Sequence, residues 1–154
     1  MDGTANGLFP MIAYFVVPGD PVGKGRPKFS TKNGFPRAVT PEKTVNYENL
    51  VRMEYEKQCG SRFFRSDAAL RMKIDVYRMP NKSASKKKRA EMIAGAIRPG
   101  KKPDMDNIIK AIQDALNKVA YEDDNQIVEV FVRKFYADEP PRANITIERI
   151  AHNG

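Results

Sequence analysis

The run Lys102-Pro103-Asp104-Met105-Asp106-Asn107-Ile108-Ile109-Lys110 sets two carboxylates two positions apart, with a lysine one helical turn beyond the second. Asp114 follows four residues later, and Asp123-Asp124 form a pair within Tyr121-Glu122-Asp123-Asp124-Asn125-Gln126. Carboxylates packed together repel, and their pKa values rise unless a cation intervenes. Oxygen ligands from separate elements that converge on one point are what Mg²⁺ or Mn²⁺ requires. On a nucleic acid such an ion polarises the phosphate, lowers the pKa of a bound water and orients the attack. Lys110, on the same face as Asp106, could neutralise charge developing on the phosphate.

Each residue also has a plainer reading. Asp104 or Asp106 could be a helix N-cap, favoured by the free backbone donors and the helix dipole. Lys110 and Asp114 could be a solvated i,i+4 pair worth about 0.2–0.5 kcal/mol. Capping accounts for one aspartate more readily than for two flanking a methionine plus a distant Asp-Asp. Two other motifs fail on context. An EF-hand loop needs glycine at its sixth position and an acid at its twelfth, but counted from Asp104 those places hold Ile109 and Ala115. An Asp-x-Asp phosphatase nucleophile belongs at the end of an apolar strand, and Arg98-Pro99-Gly100-Lys101-Lys102-Pro103 is not one. Spacing alone therefore indicates a divalent-metal site.

The bulk chemistry narrows the partner. Lys and Arg total 27 against 19 Asp and Glu, a net charge of +8. That surplus favours an anionic partner, of which nucleic acid is the commonest, although an anionic membrane surface also fits. Cys59 is the sole cysteine, which excludes an intrachain disulfide or a zinc site on paired cysteines. The sole histidine, His152, falls in a stretch expected to fray, which argues against a histidine base. No apolar run approaches the ~20 residues of a membrane span. With Asp2 and no basic n-region a secretory signal is not expected, so the expected compartment is cytoplasmic. No nucleotide cofactor is expected.

The elements that must position these residues follow from pattern. At 154 residues one domain is expected, with residues 1–10 and 151–154 flexible. Residues 11–17 are a short β-prone apolar run closed by Pro18-Gly19, and residues 21–29 are a basic loop broken by glycine and proline. Thr40-Pro41-Glu42 resembles a helix start, with Thr40 as N-cap, and the helix runs to about Cys59. Its Met53 and Tyr55 fit either core or interface. Leu70, Met72, Ile74 and Val76 alternate with polar residues as a half-buried strand. Ser83 or Ser85 caps a short helix ending near Gly95, and residues 97–103 form a second basic loop. Residues 106–119 are the clearest helix: Ile108, Ile109, Ile112, Leu116 and Val119 share one arc, and Asp106, Lys110, Asp114 and Asn117 share the opposite one. Residues 127–136 and 142–150 alternate around Asp138-Glu139-Pro140-Pro141, which predicts an antiparallel hairpin. Strands before and after a few helices, without regular βαβ alternation, indicate an α+β domain with a mixed or antiparallel sheet packed against helices.

Taken together, Lys102-Pro103-Asp104-Met105-Asp106-Asn107, Lys110-Ala111, Asp114-Ala115-Leu116-Asn117 and Glu122-Asp123-Asp124-Asn125-Gln126-Ile127-Val128 resemble the RusA family of Holliday-junction resolvases, most of all its bacterial and prophage members. Gly25-Arg26-Pro27-Lys28-Phe29 and Ser85-Lys86-Lys87-Lys88-Arg89 are similar to the same branch. The strong match spans residues 99–130 and a looser one most of the chain from residue 11. The resemblance implies a homodimeric α+β fold and a Mg²⁺-dependent endonuclease that nicks two opposed strands of a four-way junction. It makes Asp104, Asp106 and Asp124 metal ligands, Lys110 the essential lysine, Asp123 a supporting carboxylate and Asp114 a partner of Lys110 behind the site. Phosphate contacts are expected from Lys24, Arg26 and Lys28, from Lys86, Lys87, Lys88 and Arg89, and from Lys101 and Lys102 beside the acids. A solvated face is the plainer reading of the Lys86–Arg89 run. The alternatives are a broader fork or flap nuclease and a non-catalytic DNA-binding module.

Overall fold

Alternation in the long central strand sets the architecture. In β4 (Ala68–Arg78), Leu70, Met72, Ile74 and Val76 are buried while Arg71, Lys73, Asp75 and Tyr77 face the other side. The computed structural model describes residues 11–25, 28–30, 34, 37–39 and 41–154. Among these, four strands make one mixed sheet in the order β1-β6-β4-β5, with β1 at Ile12–Pro18, β5 at Ile127–Tyr136 and β6 at Arg142–His152. β6 is antiparallel to both β1 and β4, and β4 is parallel to β5. Two three-residue strands, β2 (Lys28–Ser30) and β3 (Arg37–Val39), pair as a separate ribbon. The helices among the described residues are α1 (Glu42–Cys59), α2 (Lys86–Ile93) and α3 (Met105–Leu116).

One sheet face is covered. Tyr47, Val51, Tyr55 and Cys59 of α1 join Ile108, Ala111, Ile112, Ala115 and Leu116 of α3 in a single cluster with Phe15, Leu70, Met72, Ile74, Ile145 and Ile147 of the sheet. Phe15 meets Tyr55 edge-on at 5.2 Å, and the Tyr55 hydroxyl donates to the Arg62 carbonyl at 2.8 Å. Tyr55 is therefore core, while Met53 on the same helix is exposed. The opposite face carries exposed Tyr14 and Phe131, the Arg71 bridges to Glu129 and Glu148, and the Arg133–Asp75 pair. Arg71, Lys73, Asp75, Phe131, Val132 and Arg133 line a shallow groove there.

The α+β expectation holds, with corrections in detail. β5 and β6 do not form a hairpin, because β4 lies between them. An eleven-residue strand with an apolar inner row is most fully buried at the centre, and Pro140-Pro141 lack the donors a tight hairpin turn uses. The link 137–141 has only to span two strand spacings, about 10 Å, well within the reach of five residues. The basic segment read as loop through residue 29 ends in the first two residues of β2, a strand too short for alternation to register. α3 starts at Met105 and stops at Leu116, so Val119 lies past its end, in a turn where Lys118 has φ 65°. His152 is the last paired residue of β6, opposite Ala68, rather than part of a frayed end. Ser85, not Ser83, caps α2, its hydroxyl accepting from the Lys88 N–H at 3.2 Å. α1 begins at Glu42 with Pro41 before it, and the expected cap Thr40 lies outside the described residues. No helix among the described residues is long and apolar enough to cross a membrane.

Candidate active site

The apolar arc of α3 pins the helix to the core and so fixes where its polar arc points. Asp104 occupies the N-cap position without a side-chain capping bond, and Asp106 stands in the first turn. Both are exposed, as is Lys110. The capping bond that could have explained Asp104 is therefore not made by its carboxylate. Asp114, two turns beyond Asp106, is half-buried near the C-terminal end.

The Asp-Asp pair reaches this helix through hydrogen bonds rather than through sequence proximity. Asn117 closes α3, and its side-chain oxygen accepts from the Asp124 N–H at 3.1 Å. The Asp123 carboxylate accepts from the Asn125 N–H at 2.9 Å, opening the 3-10 turn Asp124–Gln126. Buried Gln126 clamps the turn: its side-chain oxygen accepts from the Glu122 and Asp123 N–H groups, and its amide donates to the carbonyls of Arg65 (2.7 Å) and Ala68 (3.3 Å). Partial burial, then the Asp123 and Asp114 carboxylates, push the Asp124 carboxyl above its ordinary range, and Lys110 opposes this. Asp114, Asp123, Asp124 and Lys110 thus share one electrostatic neighbourhood.

Asp104 and Asp106 open the opposite end of the helix. At ~1.5 Å of rise per residue, Asp104 and Asp114 are separated by ~15 Å along the axis. The described residues contain no group of three or more His, Cys, Asp or Glu side chains gathered tightly enough to hold a metal ion. The donor set itself is all carboxylate, which suits a hard divalent cation bound through oxygen. Cys59 is buried in the core and His152 ends the sheet, so neither softens that chemistry.

The basic residues divide by what they touch. Gly23 lets the first loop lie against α3: a Cβ there would stand 2.7 Å from Pro103 Cβ and 3.0 Å from Asn107 Cβ. The Lys24 N–H then donates to the Asn107 carbonyl at 3.0 Å, and the Gly25 N–H to Thr44 Oγ1 at 3.0 Å. The Lys24 ammonium lies 2.7 Å from Glu48 Oε2 and 3.1 Å from Asp114 Oδ2, while Lys110 Nζ is 3.6 Å from the same Asp114 oxygen. Arg26 lies outside the described residues, and of Lys28 only its place in β2 is described. Lys86, Lys87 and Lys88 are exposed on α2, whereas Arg89 bonds Asp138 at 2.6 Å. The second loop is held from behind: Lys134 Nζ donates to the Lys101 carbonyl, Arg78 to the Lys102 carbonyl and Arg98 to the Lys134 carbonyl. Both lysine side chains of that loop are exposed beside Asp104.

Sequence reasoning missed Glu48 and the clamping role of Gln126. Glu48 sits on a helix read for core and interface, and its partner Lys24 is 24 residues away, so no local signal marks it. Gln126 was visible within the motif, but its burial depends on carbonyls about 60 residues upstream.

The family described as Endodeoxyribonuclease RusA matches residues 18–148. The chain is also similar to a Bacillus subtilis (strain 168) protein described as Uncharacterized protein YqaN, 36% identical over 139 residues, covering 89% of this chain and 96% of that one.

Proposed function

Because this chain belongs to the endodeoxyribonuclease RusA family, we propose that it is a Mg²⁺-dependent resolvase that nicks two opposed strands of a four-way DNA junction as a homodimer. The observation that carries this reading is the common exposed arc of α3. Asp106 and Lys110 share it, and Asn117 ties the Asp123-Asp124 turn to the end of the same helix.

In this reading Asp104, Asp106 and Asp124 would hold the ion, with Asp123 beside them. Because these carboxylates are not gathered within ligand distance of one point in this geometry, binding would have to draw the Asp123-Asp124 turn toward the first turn of α3. A divalent ion held there supplies Lewis-acid polarisation of a phosphate oxygen and a more acidic bound water. Mn²⁺ would substitute, since it shares the preference for oxygen ligands. The protein's own groups do the rest. Lys110, exposed one turn from Asp106, faces the phosphate and offsets the charge that builds on its oxygens. Lys101 and Lys102, on a loop fixed by Arg78 and Lys134, engage neighbouring phosphates and set the strand against the acids. Lys86, Lys87 and Lys88 extend the contact along a duplex arm.

The test is cleavage of a labelled four-way junction in Mg²⁺, comparing wild type with Asp106→Asn and comparing the junction with a flap. Paired symmetric nicks from wild type, and a mutant that binds but cuts at least about a hundredfold more slowly, are the expected results. Equal cutting of flap and junction would replace resolution with a broader branched-DNA activity. Binding without cutting by either protein would leave a DNA-binding module.

A further inference from the structure

Lys24 was expected to contact phosphate, but its position fits another task. Its side chain is only 20% exposed, against 63% for Lys110, and its ammonium already has two carboxylate partners. The flanking glycines explain how it gets there. Gly23 admits the loop to the first turn of α3, and Gly25 admits it to the start of α1, where a Cβ would come within 2.7 Å of Pro41 Cγ. The lysine between them is left pointing into the seam where Glu48 of α1 faces Asp114 of α3.

Two lysines and two acids make a neutral set of four. Asp114 Oδ2 is the acceptor they share, and Lys24 has the closer approach, 3.1 Å against 3.6 Å. An ammonium already paired with that oxygen lowers the attraction left for a second one. We infer that Lys24 is a positioning residue which occupies Asp114 and thereby keeps the Lys110 ammonium free to meet the DNA phosphate. Lys24 touches neither DNA nor metal in this scheme and acts through Lys110. The inference rests on the nuclease reading for the role of Lys110, but the occupancy of Asp114 is measurable without DNA.

The experiment compares wild type, Lys24→Met and Lys24→Arg. Acylation by acetic anhydride, read by mass spectrometry as Lys110 modification relative to Lys86, reports how free Lys110 is. Without the competing ammonium, Lys110 closes on Asp114. Its acylation is expected to slow about two- to fivefold in Lys24→Met, the range of one exposed ion pair, and to recover in Lys24→Arg. Single-turnover junction cleavage at saturating enzyme is expected to fall by the same roughly two- to fivefold in Lys24→Met and to recover in the arginine variant. Junction affinity and its salt dependence should stay as in wild type. Unchanged Lys110 acylation in Lys24→Met overturns the inference. So does a salt slope lowered by about one with the saturating rate intact, which would make Lys24 a phosphate contact. A wild-type protein that cuts no junction overturns the nuclease reading instead, and the acylation result still decides whether Lys24 holds Asp114.

Discussion

A lysine placed between two carboxylates has a stability signature of its own. Burial works against the Lys24 ammonium, but the hydrogen bonds and charges of Glu48 and Asp114 outweigh it and hold its pKa above the ordinary lysine value. A pKa raised in the folded state means a stabilising contribution that is complete below the unfolded value, about 10.4. The contribution disappears as pH climbs through the folded value. Lys24→Met is therefore expected to lose on the order of 1 kcal/mol, or a Tm about 2–4 °C lower for a chain of this size. The gap from wild type should be constant near neutrality and close above about pH 10.5. Thermal unfolding across pH checks both the size and the sign. Gln126 offers a sharper case, because its side chain is buried and bonds to four backbone groups. Gln126→Leu keeps much of the volume but strands those donors and acceptors, at an expected cost of about 2–4 kcal/mol. Cleavage should fall with it, since the Asp123-Asp124 turn loses its clamp.

At the scale of elements, the seam between the first loop and α3 is the joint that positions the acids. Gly23→Ala would push a methyl into the rigid Pro103 ring and the Asn107 side chain, so one partner must move. The expected cost is about 1–3 kcal/mol, measured by thermal unfolding, with slower cleavage as α3 shifts. The first glycine of that loop is legible in the sequence as a breaker, but its reason is not, because Pro103 lies 80 residues away. The same division runs through the fold. α3 was readable because Ile108, Ile112 and Leu116 repeat at helical spacing and are all buried. β4 was readable because its alternation is strict, and the Ser85 cap because its donor lies three residues on. The polar arc of α3 followed at once from its apolar arc, so Asp106, Lys110 and Asp114 were correctly placed together. What failed was pairing at long range. Nothing local distinguishes a β5–β6 hairpin from two strands straddling β4, and nothing local joins Glu48 to Lys24. Three-residue strands such as β2 and β3 carry too little period to be seen amid glycine, proline and lysine.

For the whole molecule, the proposed placement of the acids bears on how many chains a junction would need. Every proposed ligand lies along one helix or on the turn tied to its end, so one 17.4 kDa chain presents one such set. On the proposed reading, two opposed strands nicked in a single encounter call for two such sets, which a two-fold dimer would supply in keeping with the approximate two-fold symmetry of a junction. The separation of binding from cutting makes this testable by mixing. Asp106→Asn should keep the basic surface proposed to hold DNA, because the lysines on α2 and the second loop are untouched by the change. Heterodimers of wild type and Asp106→Asn, formed by refolding differently tagged chains together and purified through both tags, should carry one working site. On a supercoiled plasmid with an extruded cruciform, wild type should give linear product, from two nicks made before release. The heterodimer should give nicked circles at about half the initial strand-cutting rate, with linear product strongly reduced. Linear product from the heterodimer at the wild-type rate would mean that one site makes both cuts in turn. That outcome would remove the need for a dimer, while leaving Asp106 as a ligand in each working chain.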